Sequence, residues 1–284
     1  MGKEQTLQAR RRIANADEIP APNGFTRGAE PERPATATRP AAADYLHRSV
    51  LAGRILAALL LAVALPVIAL LSLIVRLTSR GPSFYRQTRV GRDGRRFVLY
   101  KIRTMVDAAE EGTGPTWTRA DDPRVTAVGR FLRRHHLDEL PQLLNVVRGE
   151  MAIVGPRPER PEFVRVLAAQ IPGYLDRLTV RPGILGLAQV HLPADVDVAS
   201  VREKLDLDLE YIRTASLALD SRIFLWAWLR LLGVPFARAI SWAGLDRGTS
   251  ADGARPCVDD HRIAWPRSPS TLTAIDERSA ADRR

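Results

Sequence analysis

The sequence predicts an α+β fold, mostly helical, with a membrane-attached apolar segment ahead of a compact domain. Three observations carry that reading. An uncharged apolar run extends from Ile55 to Val75. Two strand-like runs flank an Asp93-Gly94 turn signal. Downstream, leucine, valine and aromatic residues recur at helical spacing between start and stop residues.

Composition bounds the rest. A chain of 284 residues with 45% hydrophobic content can bury one sizeable core and leave length for tails. The single cysteine, Cys257, excludes an internal disulfide framework and a cysteine-cluster metal site, which points to a reducing compartment. A net charge of +10 and a pI near 10.6 favour anionic partners. Nucleic acid, an anionic membrane surface and phosphorylated substrates all qualify.

Residues 1–45 read as a disordered basic arm, with Arg10, Arg11 and Arg12 in a row, five prolines before residue 44 and no sustained apolar period. A cleavable signal would need an apolar stretch near the start, and the first begins only at Ile55.

Residues 46–80 hold the membrane segment. The run Ile55–Val75 is long enough to cross a hydrocarbon core of about 30 Å. Arginines stand at both ends, Arg48 and Arg54 before it and Arg76, Arg80, Arg86 and Arg89 after it, so neither flank has the character of an outside end. Pro66, near the middle, removes a backbone donor and predicts a kink. A re-entrant hairpin that returns to the same face and a kinked spanning helix both satisfy these residues.

Residues 81–240 form the main domain. "FYRQTRVGRDGRRFVLYKIRTM" predicts two short strands around Gly91-Arg92-Asp93-Gly94. After the loop "EEGTGPT", Asp122 as N-cap and Pro123 at the first position predict a helix with Val125, Val128, Phe131 and Leu132 on one face. A second helix is expected from Asp138, carrying Leu140, Leu143, Leu144 and Val147 and ending at Gly149. "FVRVLAAQIPGYLDRL" gives another, and "VREKLDLDLEYIRTASLALDSRIFLWAWLRLL" one or two more. The last bears Trp226 and Trp228 between Arg222 and Arg230, which suits a membrane interface or a buried helix with tryptophans in the core. Residues 241–284 read as a disordered tail.

Chemistry is most legible in "HHLDELPQLLN", residues 135–145. As an N-cap, Asp138 would lie where backbone N–H groups and the helix dipole hold a carboxylate ionised and favour nearby phosphate. An ionised carboxylate can attack phosphorus. A plain cap followed by a first-turn acid, Glu139, fits equally. In "GEMAIVGPRPERPEF", Pro156 and Pro158 bracket Arg157 and hold it extended, where its guanidinium could grip phosphate oxygens. A proline-rich connector with a solvated arginine is the alternative. Gly155 permits close backbone approach. His135 and His136 lack the spacing of a transition-metal site, whereas Mg²⁺, which takes one or two carboxylates plus substrate phosphates, suits Asp138 and Glu139. No Walker loop and no GxGxxG occurs.

Together these residues resemble the bacterial sugar transferase family, the monotopic phosphoglycosyl transferases that start glycan assembly on polyprenyl phosphate. The matching stretches are "GPSFYRQTRVGRDGRRFVLYKIRTM", "DDPRVTAVGRFLRRHHLDELPQLLNVVRGEMAIVGPRPERPEF", "RPGILGLAQV" and "KLDLDLEYIRTASLALDSRIF", in the family's order over roughly residues 50–235. The resemblance implies an N-terminal re-entrant membrane helix-break-helix, broken at Pro66, and a compact cytosolic catalytic domain with a short β-hairpin and interfacial amphipathic helices. It implies a catalytic dyad of Asp138, the nucleophile, and Glu139, which assists proton handling; both would position Mg²⁺. Asp138 would take the sugar phosphate from a UDP-sugar, release UMP, and pass the group to polyprenyl phosphate. Pro156, Arg157, Pro158, Lys101, Arg103 and Gln189 are the implied substrate- and phosphate-binding residues.

The implied setting is one leaflet of the inner membrane with the domain on the cytoplasmic face, no nucleic acid partner, and room for a homo-oligomer. Two stretches depart from the family pattern. Leu187 replaces a tryptophan and His191-Leu192-Pro193 replaces Asn-Gly-Arg; Leu65 stands before Pro66 where serine is common. With a polar arm where larger members carry several spanning helices, the chain resembles the small form of the family. Two other functions fit some of the same residues: a membrane-tethered basic adaptor for anionic lipid or nucleic acid, and a hydrolase passing the aspartyl intermediate to water.

Overall fold

A computed structural model describes residues 40–109, 122–192 and 198–246. The arm through residue 39, the "EEGTGPT" loop and the tail from residue 247 lie outside the described residues. In chain order the elements are α1 (Pro40–Thr78), β1 (Phe84–Val90), β2 (Arg96–Ile102), α2 (Ala127–Arg134), α3 (Leu143–Arg148), β3 (Ala152–Val154), α4 (Pro161–Gln170), β4 (Gly183–Leu185), α5 (Leu187–His191), α6 (Val198–Thr214), α7 (Leu217–Leu231) and α8 (Phe236–Trp242).

The apolar segment is one long helix. α1 is continuous through Pro66 where the sequence predicted a break; the surrounding leucines and alanines are strong helix formers that keep the turn on either side of the missing donor. One face of α1 is a wall of the domain along its length. Ala42 joins the cluster around Tyr211 and Ile223; Ala57 packs with Phe97, Leu99, Leu143 and Met151; Leu71 and Val75 pack with Ile102 and Leu132. The opposite face, including Leu59, Val63, Leu70 and Leu77, is exposed.

β1 and β2 form the expected antiparallel hairpin, with Phe84 opposite Ile102 and Val90 opposite Arg96. Its turn needs a left-handed residue, and Asp93 supplies it at φ 55°. Sequence reasoning missed the second sheet, in which β3 and β4 pair in parallel. Three-residue strands carry too little period to be seen.

Three predicted helices have different limits. Asp122 caps nothing: its carboxylate accepts three hydrogen bonds from Arg124, one of them from the backbone N–H. Thr126 caps α2 instead, accepting from Gly129 N at 2.9 Å. The helix expected from Asp138 is a 3₁₀ turn, Leu137–Gln142, followed by α3, and Asp138 is inside the turn instead of capping it. Pro141, in mid-turn, lacks the N–H that an α-helical start would use there. The predicted helix around "FVRVLAAQIPGYLDRL" ends at Gln170, and after Pro172-Gly173 a 3₁₀ turn, Tyr174–Thr179, takes over. Gly149 does end α3, in the left-handed conformation.

The tryptophan-bearing helix is part core and part surface. On α7, Ile223 and Trp226 are buried, whereas Leu225, Trp228 and Leu231 are exposed. α8 continues the apolar surface with Phe236 and Trp242, and packing persists to Leu245, a little past residue 240.

Two buried contacts lock the frame. Asn145, fully buried, donates to Val98 O at 2.7 Å and to Glu150 Oε2 at 2.6 Å and accepts from Tyr100 N, tying α3 to β2. Gly129 lets α2 lie against residue 104, where any Cβ would overlap the Thr104 carbonyl. Gly129→Ala is therefore expected to destabilise the protein by about 1–3 kcal/mol, seen as a lower midpoint in chemical denaturation, while Gly94→Ala, with open space around it, carries only the strain of its positive φ.

Candidate active site

The dyad is placed by an unusual backbone step. His136, between α2 and the 3₁₀ turn, is left-handed at φ 54° and ψ 20°, a conformation few non-glycine residues adopt. It turns the chain so that Asp138 and Glu139 come beneath β2. Both are buried.

The two carboxylates then meet different surroundings. Lys101 Nζ, from β2, donates to Glu139 Oε1 at 2.8 Å. Arg157 Nη2 donates to the same oxygen at 2.6 Å, and its Nη1 reaches Glu139 Oε2 at 3.4 Å. Burial by itself would raise the Glu139 pKa, but Arg157 and Lys101 hold it well below the usual carboxylate range. Asp138 accepts no hydrogen bond among the described residues. Burial raises its pKa, the Glu139 charge raises it further, and Lys101, Arg133 and Arg157 draw it back only in part. Arg133 is steadied by donating from Nε to Thr104 Oγ1 at 2.8 Å.

Arg157 owes its position to a laced loop. Four consecutive carbonyls accept hydrogen bonds: Pro156 from Gly183 N, Arg157 from Arg177 Nη2, Pro158 from Arg89 Nη1 and Glu159 from Val90 N, at 2.8–2.9 Å. The prolines supply no N–H, so the loop is held through its acceptors. The close approach that Gly155 permits is to the Arg181 and Gly183 backbone. Arg177 was not singled out from sequence. It is buried, pairs with Asp208 on α6 at 2.6 Å, and donates to Tyr174 Oη at 2.9 Å. Burial pushes the Asp208 carboxyl up to about 6 despite that pairing.

The remaining expected residues divide. Gln189, on α5, lines a small cavity of about 40 Å³ with Arg157, Glu159 and Arg177, and its buried Oε1 accepts no hydrogen bond among the described residues. Arg103 is not brought to the dyad. Its guanidinium turns to the end of α1, donating to Arg80 O, to Ser79 O at 3.1 Å and to Ser79 Oγ at 2.7 Å. Successive residues on a strand face opposite sides and alternate ones share a side, so Lys101 and Arg103 would point one way, but Arg103 lies past the end of β2, where the chain has left the strand.

Among the described residues no group of three or more His, Cys, Asp or Glu side chains is placed to hold a metal ion. His135 stacks on Phe131, with ring centroids 4.7 Å apart. Among the described residues, the carboxylates that a metal could meet at this site are those of the dyad, with Glu139 already engaged by two cations and Asp138 free of hydrogen bonds. That donor set suits Mg²⁺, which keeps waters and substrate phosphates in its shell, and not a transition metal.

These environments have opposite consequences for stability. Glu139, with a folded pKa below its unfolded value, contributes stability at neutral pH that is lost as pH falls through the depressed pKa. Asp138, with a raised folded pKa, contributes stability only in acid, and loses it as pH rises through that pKa. At pH 7 Asp138→Asn is therefore expected to raise the thermal midpoint and Glu139→Gln to lower it, in the same detergent and buffer. Breaking the second buried pair with Asp208→Ala leaves Arg177 unpaired, for an expected loss of about 3–5 kcal/mol in chemical denaturation.

Comparison with known proteins agrees with the geometry. A profile described as bacterial sugar transferase matches residues 47–233. The chain is 44% identical over 171 residues to a UDP-glucose:undecaprenyl-phosphate glucose-1-phosphate transferase of Caulobacter vibrioides, covering 60% of this chain and 64% of that protein. An Escherichia coli (strain K12) protein of the same name is 43% identical over 171 residues, covering 60% of this chain and 37% of that one. The exopolysaccharide production protein PSS of Rhizobium leguminosarum is 38% identical over 168 residues, covering 57% of this chain and 84% of that one. The chain thus spans less than two thirds of the length of the first two relatives. The matched region contains most of α1, both sheets, the dyad and the Pro156-Arg157-Pro158 loop, and the chain belongs to the bacterial sugar transferase family.

Proposed function

We propose that the protein transfers a sugar 1-phosphate from a UDP-sugar to undecaprenyl phosphate through a covalent intermediate on Asp138. The observation that carries this reading is the asymmetry of the dyad: Glu139 is clamped by Lys101 and Arg157, while the Asp138 carboxylate keeps its lone pairs free among the described residues. A carboxylate without hydrogen bonds, kept among cations, suits nucleophilic attack on a phosphorus that carries negative charge.

An Asp138 oxygen attacks the sugar-bearing phosphorus of the UDP-sugar. The bond from that phosphorus to the bridging oxygen breaks, and UMP leaves with the electron pair. An oxygen of undecaprenyl phosphate then attacks the same phosphorus, the acyl-phosphate bond breaks, and Asp138 returns as a carboxylate beside a lipid diphosphosugar. Arg157 and Lys101 hold positive charge at the diphosphate in both steps, and Gln189 completes the wall beside Arg157. Mg²⁺, held by Asp138 and the substrate phosphates, would supply further charge neutralisation at the diphosphate. The names of the relatives support this donor and acceptor class.

Membrane attachment follows the same reading. α1 is apolar enough to cross a bilayer by length and composition, yet the domain packs against its start, middle and end. A transverse crossing would drag those polar elements into hydrocarbon. Attachment to one leaflet of the inner membrane, with both ends of α1 on the cytoplasmic face, avoids this. The exposed faces of α7 and α8 would rest at the same interface.

Two measurements test the proposal. Intact-protein mass spectrometry after incubation with Mg²⁺ and a panel of UDP-sugars is expected to show a sugar-phosphate adduct on the wild type, discharged by undecaprenyl phosphate, and none on Asp138→Asn. Lys101→Met should move the acid limb of adduct formation to higher pH, because Lys101 lowers the Asp138 pKa. Absence of adduct and of UMP release across the panel, with acceptor restored, would sink the transferase reading in favour of a non-catalytic tether. For topology, cysteines placed at Ser49 and Ser79 in a Cys257→Ser background should both react with an impermeant thiol reagent in inverted vesicles and neither in right-side-out ones. Opposite accessibility of the two would establish a transverse span.

A further inference from the structure

A groove of about 750 Å³ runs between the first half of α1, β3 and α7. Leu46, Val50 and Leu56 of α1 line it with Ile153, Leu217 and Phe224. None of Lys101, Asp138, Glu139 or Arg157 takes part. The acidic residue in its wall is Asp220, whose carboxylate already accepts from Tyr45 Oη at 2.5 Å and Tyr211 Oη at 2.9 Å.

Arg92 and Arg181 also line the groove, with Arg54 close by. Arg54 Nε donates to Val147 O at 2.9 Å and Arg181 Nε to Gly149 O at 3.0 Å, so both guanidiniums converge on the end of α3. Burial, then the charges of Arg92 and Arg54, push the Arg181 pKa down. Capping the α3 carbonyls accounts for only one nitrogen of each of Arg54 and Arg181 and leaves Arg92 unexplained. Asp93 pairs with Arg92 at 3.3 Å on the exposed surface. Three guanidiniums gathered with one exposed acid beside them form a site for a further anion. Arg54 immediately precedes the uncharged run from Ile55, and the exposed Leu51, Ile55 and Leu56 surround it on α1. If α1 lies in one leaflet, the cluster stands at headgroup level with an apolar groove leading away from it.

We propose that this groove binds an anionic phospholipid, its phosphate held by Arg54, Arg92 and Arg181 and an acyl chain lying between α1 and α7. The inference rests on the single-leaflet attachment proposed above. It adds a structural lipid, distinct from the acceptor, that fastens α1 to the domain.

The test reconstitutes the full chain in nanodiscs of equal parts phosphatidylcholine and phosphatidylglycerol, extracts it into neutral detergent, and counts retained lipid by native mass spectrometry. Wild type should retain phosphatidylglycerol over phosphatidylcholine. Arg92→Gln, which removes no ion pair among the described residues beyond that with Asp93, should lower that retention about fivefold. The triple variant R54Q/R92Q/R181Q should lower it further, whereas R134Q/R202Q/R213Q, with the same charge removed elsewhere, should match wild type. Equal retention by wild type and R92Q, or an equal loss in the control triple, would overturn the proposal. So would displacement of phosphatidylglycerol by undecaprenyl phosphate, which would assign the groove to the acceptor. Adduct formation from UDP-sugar needs no phospholipid, so an adduct on wild type without retained phosphatidylglycerol rejects this site and leaves the transferase reading standing.

Discussion

The buried carboxylate of Glu139, held between Lys101 and Arg157, is the contact on which the site depends. It joins three distant parts of the chain: β2, the 3₁₀ turn after α2, and the proline-bracketed loop after β3. Buried charge of this kind is stable only when its partners are fixed, and each partner has its own support. Lys101 is set by the strand that Asn145 pins to α3. Arg157 is set by carbonyls that accept from Arg89, Arg177 and two backbone N–H groups.

The same arrangement isolates Asp138. Two adjacent acids in one dry site cannot both be comfortable as anions. Because Glu139 takes Lys101 and Arg157 as hydrogen-bond donors and Arg133 donates to Thr104, Asp138 has its pKa raised and is free of hydrogen bonds among the described residues. Burying Asp138 this way costs stability at neutral pH, and the Arg177–Asp208 pair supports the Arg157 loop from behind.

α1 has two roles that compete for its surface. One face completes the domain core from Ala42 to Val75, and the other is apolar and exposed. Exposed apolar area on this scale is not tolerated in water. The exposed leucines of α1 together with Trp228 of α7 and Trp242 of α8 therefore describe one surface that a bilayer would cover, with arginines gathered at its edge.

Much of this was written locally. The apolar run, the Asp93-Gly94 hairpin, the adjacent acids and the Pro156-Arg157-Pro158 element can each be read from neighbouring residues, because turn chemistry, hydropathy and proline geometry act over a few positions. The sequence by itself also placed Asp138, Glu139 and Arg157 in the family's order. Tertiary structure alone decided that Glu139 and not Asp138 would hold the cations, that Arg103 would brace the end of α1, and that Arg177 and Asp208 would carry the loop. Helix limits moved for the same reason: Asp122 found Arg124, and Pro141 favoured a 3₁₀ turn over an α-helical start. Such outcomes turn on which side chains meet across the fold and on how much water is excluded when they do, and neither quantity is written in any one segment of the chain.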